Sequence, residues 1–60
     1  MSPSKEELQR LIADRRQRAR NLERVANHVS NPDHRRTLLE RVKALDEEAD
    51  GLEAEASRIF

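Results

Sequence analysis

The 60-residue chain has no cysteine, no tryptophan and no tyrosine, and it has a single phenylalanine and a single glycine. Without cysteine there are no disulfides and no thiolate metal sites. Two histidines with no acidic cluster around them make a structural metal unexpected. One aromatic side chain cannot build a platform for stacking bases, and one glycine cannot build a phosphate-cradling loop. No apolar run approaches the roughly 20 residues that a membrane-spanning helix needs. The opening Met1-Ser2-Pro3-Ser4-Lys5-Glu6-Glu7 has no apolar stretch of the kind a secretory signal requires, so a cytoplasmic protein is expected.

What is present is charge and helical period. Charged residues make up 40% of the chain and hydrophobic ones 35%. From Leu38 onward, Leu38, Val42, Leu45, Ala49, Leu52, Ala56 and Ile59 follow alternating steps of four and three, the spacing of a helix packed along a seam on other helices. In the first half Leu8, Ile12, Arg15, Ala19, Leu22, Ala26 and Val29 repeat the same steps, with an arginine as one member.

Between the two seams lies Ser30-Asn31-Pro32-Asp33. Asn31 suits an N-cap, Pro32 the first helical position where its missing N–H costs nothing, and Asp33 the positive end of the helix. The first helix has its own start signal in Ser4 and Glu7, a Ser-x-x-Glu capping box with Pro3 and Leu8 as the staple, although Ser2 before Pro3 competes as the cap. The expected layout is one unit, 1–60, with a helix over 4–29, a turn at 30–31 and a helix over 32–58. Gly51 lies inside the second helix, at an outward position; the heptad phase runs through it, so a continuous helix is expected, with a break at Asp50-Gly51 as the alternative. So short a turn forces an antiparallel hairpin. Folded there, the seams oppose Leu8 to Ala56, Ile12 to Leu52, Arg15 to Ala49, Ala19 to Leu45, Leu22 to Val42 and Ala26 to Leu38. Three of these layers set alanine against leucine, an alternation that lets two helices approach closely.

Charge distribution agrees with this fold. Positions 1–36 hold nine basic and five acidic residues, and positions 37–60 hold three and seven, so a +4 segment faces a −4 segment. In this register Arg16 falls near Asp46 and Arg18 near Glu48. A lone core in a chain below roughly 70–80 residues seldom supplies more than about 3–5 kcal/mol. Leu11 and Val25 beside the first seam, with Leu39 and Phe60 beside the second, form a second apolar face. The expected fold is therefore all-α: a two-helix antiparallel hairpin that dimerises into a four-helix bundle through Leu11, Val25, Leu39 and Phe60.

Some residues offer more than packing. Arg15 and Arg18 lie on or beside the apolar stripe, and with Asp46 and Glu48 they are candidates for a polar layer that fixes register and chain number. Two other readings are arginine stems covering the core edge and an anion-binding surface. Arg10, Arg16, Arg20 and Arg24 are candidates for a basic face toward RNA or DNA, diluted by Asp14 and Glu23. Asn27, His28, Asn31, Asp33, His34, Arg35 and Arg36 gather at the turn, a polar tip that suits contact with a partner protein. No cysteine nucleophile, His-x-x-x-His pair or workable Ser, His, Asp set is present, and the acidic run from Glu47 to Glu55 reads as a solvated face. Neither catalysis nor a cofactor is expected.

The stretch Ser30-Asn31-Pro32-Asp33-His34-Arg35-Arg36-Thr37-Leu38-Leu39 resembles small bacterial helical proteins in which an Asp-Pro or Asn-Pro turn precedes Arg and a Leu-Leu pair. That resemblance implies a hairpin and no particular activity. In architecture the chain also resembles the Rop (RNA one modulator) family, with two helices and Ala and Leu layers in a dimeric four-helix bundle. Rop proteins bind paired RNA loops through polar and aromatic residues of the first helix. The first helix here has no aromatic residue, so RNA binding is not carried over. The expected function is a small non-catalytic interaction or adaptor protein acting as a homodimer, with a protein partner. The alternative is a Rop-like nucleic-acid regulator using the arginine face.

Overall fold

A computed structural model describes residues 4–60. Two helices, α1 (Lys5–Asn27) and α2 (Pro32–Ile59), pack side by side as a hairpin. The proposed Ser2 cap and the Pro3 staple lie outside the described residues. Ser4 is the N-cap of α1, its Oγ accepting from the Glu7 amide at 3.1 Å. Asn31 caps α2 more fully, its Oδ1 accepting from the amides of Asp33 at 2.9 Å and His34 at 3.2 Å. Asn31 is extended (φ −72°, ψ 118°), the backbone region that a following proline enforces.

The first helix stops earlier than its hydrophobic pattern. The period suggests 29 as its end, yet regular helix stops at Asn27 and residues 28–31 form the connection. The last turn tightens: the amides of His28 and Val29 donate to the carbonyls of Val25 and Ala26, at 3.0 and 3.2 Å. Among the described residues no φ is positive, so α1 ends without a left-handed cap. The Arg35 guanidinium ties the connection down by donating to the Val29 carbonyl at 2.7 Å. Val29 thereby stays half-buried on the seam although it is outside the helix.

α2 continues through Gly51 without a break. A helix missing one Cβ at an outward position loses about 1 kcal/mol relative to alanine, too little to interrupt the seam on either side.

Leu8, Ala19 and Ala26 from α1, with Val42, Leu45 and Ala49 from α2, form the core. Ala19, Val42 and Leu45 touch as a cluster with Leu22 against it, the layers expected from the opposed seams. Of the two seams, only Ile59 is exposed. Three of the six core residues are alanine, so the helices lie close together but enclose little.

Dimensions make the same point. The molecule measures 43 × 16 × 14 Å with a radius of gyration of 13.8 Å. A compact chain of this length would have a radius of about 10 Å. It exposes 4738 Å², where a compact 7.0 kDa monomer exposes about 4000 Å². Among the described residues no helix is long and apolar enough to cross a membrane.

Candidate interaction surface

Side chains beside the seam divide the hairpin into two sides. In an α-helix each residue turns about 100°, so positions seven apart share a side and positions two apart fall far around the axis. Arg16 and Arg18 accordingly lie on opposite sides.

The Arg16 side carries an ion-pair lattice. Arg16 donates to Glu53 at 2.7 Å and to Asp50 at 3.1 Å, and its contact with Asp46 is a long 4.0 Å. Arg20 donates to Asp46 at 2.8 Å. Hydrogen bonds first to Glu53 and then to Asp50 hold the Arg16 guanidinium's pKa above its ordinary value. At the open end of the hairpin, Lys5, Gln9, Ile12, Ala13, Ala56 and Phe60 extend this side as a shallow groove.

Arg16 therefore meets Asp50 and Glu53 in preference to the expected Asp46. Helical side chains lean toward their own N-terminus. In an antiparallel pair that direction runs toward the C-terminus of the neighbour, so each arginine of α1 on this side reaches further along α2 than its level suggests.

The Arg18 side is built differently. Arg15 donates through Nε to Glu48 at 3.1 Å and through a terminal nitrogen to Asp14 at 2.7 Å. Arg18 pairs with Asp14 at 3.2 Å, one turn back on its own helix. The expected pairing of Arg18 with Glu48 is thus replaced by Arg15 with Glu48, because the same N-terminal lean brings Arg18 to Asp14. Arg15 is half-buried, and its two carboxylate partners satisfy a guanidinium that would otherwise be costly beside the seam. Seam side chains floor two grooves here: Leu22 and Leu45 lie beneath one with Arg18 and Arg41, and Leu52 lines another with Arg15, Glu48 and Gly51.

The four expected interface residues are exposed: Leu11 by 39%, Val25 by 50%, Leu39 by 42% and Phe60 by 55%. They do not form one face. Leu11 and Val25 stand seven residues on either side of Arg18 and share its side. Leu39, Asp46, Glu53 and Phe60 form another seven-residue row, and Asp46 and Glu53 bind the arginines of the Arg16 side. Leu39 instead lines a groove near the turn with Pro32, Arg35, Arg36 and Lys43. The correction follows from counting around both helices at once: in an antiparallel pair, like heptad flanks meet.

The arginine face is broken up by the same contacts. Of Arg10, Arg16, Arg20 and Arg24, Arg16 and Arg20 are held by acids of α2, with Glu23 also 3.7 Å from Arg20. Arg10 and Arg24 have no ion-pair partner among the described residues, and at 1.5 Å per residue they stand about 21 Å apart. At the tip, Arg36 pairs with Asp33 at 3.5 Å, while both histidines are exposed. Among the described residues no group of three or more His, Asp or Glu side chains is placed to hold a metal ion. No protein-family model matches the chain, and comparison with curated proteins and with solved structures finds no match.

Proposed function

We propose that this chain is a non-catalytic interaction protein that works as a homodimer, two hairpins packing into a four-helix bundle whose charged outer surface meets a protein partner. The observation that carries this reading is the exposure of the large apolar side chains Leu11 and Val25, which share one side of a hairpin whose own core is half alanine. Burying a large apolar side chain contributes about 1.5–3 kcal/mol, so a second hairpin offers more stabilisation than the small core alone. The chemistry of the surface supports a binding role, since its concavities are open grooves lined by charged and aliphatic groups.

Sedimentation equilibrium tests the proposal. A mass of two chains at micromolar concentration is the expected result. A well-folded monomer under those conditions would overturn it.

A further inference from the structure

We propose, building on the homodimer reading, that the second copy covers the Arg18 side, with α1 lying antiparallel on α1 of the partner subunit and α2 on α2. Three observations on the two sides lead there.

The first is unequal desolvation. Covering the Arg16 side would take the Arg16, Asp50, Glu53, Arg20 and Asp46 lattice out of water, and removing such ions from water is costly even when they are paired. The Arg18 side has a smaller ion-pair group, Asp14, Arg15, Arg18 and Glu48, and sets aliphatic side chains beside it: Leu22 and Leu52 are only half-buried by the hairpin, and Leu11 and Val25 are exposed next to them.

The second is area. The hairpin exposes some hundreds of Å² more than a compact chain of its mass, and a standard interface covers about 800 Å² on each partner.

The third selects the arrangement. The outer row of α1 on this side reads Leu11, Arg18, Val25, and that of α2 reads Arg41, Glu48, Glu55. A two-fold axis crossing the hairpin near its middle, perpendicular to the helices, inverts both rows. It brings Leu11 beside Val25 of the partner subunit and Arg41 beside Glu55 of the partner subunit. The central Arg18 and Glu48 approach their own copies, but each already holds an opposite charge, Asp14 and Arg15 respectively. The other two-fold, parallel to the helices, lays α1 on α2 of the partner subunit. Leu11 then falls near Glu55 of the partner subunit and Val25 near Arg41 of the partner subunit, apolar against charged at both ends. Complementarity favours the first arrangement.

Since the native chain has no cysteine, introduced thiols give an unambiguous test. Within one chain positions 11 and 25 are about 21 Å apart, too far for a disulfide. The double variant Leu11→Cys/Val25→Cys should oxidise to a covalent dimer, while each single variant should not. Leu11→Glu should raise the dimer dissociation constant by at least about 100-fold, whereas Leu39→Glu should leave it within about threefold. Arg41→Glu should weaken the dimer, and adding Glu55→Arg should restore it; circular dichroism of each variant checks that the helices persist. A wild-type dimer that tolerates Leu11→Glu, gives no covalent product from the double variant and shows no rescue by the charge swap overturns this arrangement and leaves the homodimer standing. A wild-type monomer overturns both.

Discussion

Leu45 and Arg16 mark the two ways a side chain contributes to this hairpin. Leu45 is buried against Ala19 and Val42, in the cluster that the two seams form together. Leu45→Ala should cost about 2–5 kcal/mol, comparable with everything a core of this size supplies, so the far-UV helical signal should largely disappear at 25 °C. Arg16, by contrast, is partly exposed and acts through charge. Arg16→Ala should lower the melting temperature at low salt, and 0.5 M salt should narrow the gap from wild type, because exposed ion pairs are screened. A gap unchanged by salt would mean that the arginine stem, by its packing, matters more than its charge. The raised pKa of Arg16 has a defined sign. Its contribution is complete below the unfolded-state value and fades only as pH rises through the still higher folded value, so it supplies no titration between pH 6 and 9. At this scale the sequence marks Arg15 as the odd member of the seam, but its pairing with Glu48 depends on how far a guanidinium reaches across to a second helix.

At the scale of the elements, both helices begin where their capping residues stand. Asn31→Ala removes an acceptor for two amides and should cost about 0.5–2 kcal/mol, read as a lower melting temperature with unchanged baseline helicity. Gly51→Ala should do the opposite. A Cβ built on Gly51 meets nothing within 4 Å, and the backbone there is ordinary helix, so alanine should stabilise α2 by about 0.5–1 kcal/mol. A drop in melting temperature with this variant would place Gly51 in a contact that a single hairpin does not make, such as a close approach by another copy. The starts of both helices are legible in the sequence because capping acts over three or four residues. The end of α1 is not, since apolar Val29 continues the seam while its backbone has already left the helix to turn.

For the whole molecule, the decisive quantity is how stability depends on concentration. If association stabilises the fold, the melting temperature should rise as protein concentration increases from micromolar to hundreds of micromolar. A concentration-independent transition would identify the hairpin as the complete folding unit. The elongated 43 Å shape leaves each helix with one neighbour along its length, where a bundle gives two.

Local pattern alone determined the two helices, their N-caps and the seams, because these depend on the 3.6-residue period and on side chains a few positions apart. Ala19 packed with Leu45 follows from the turn and the period without further information. Only the tertiary structure decided which acid each arginine meets and which side of the hairpin each flanking residue occupies. Helical side chains lean toward their N-terminus, so Arg16 passes the level of Asp46 and reaches Asp50 and Glu53. Packing of the two helices places like heptad flanks together, which parts Leu11 and Val25 from Leu39 and Phe60. Both effects act across the seam, between residues on different helices, where the spacing along one helix says nothing about direction.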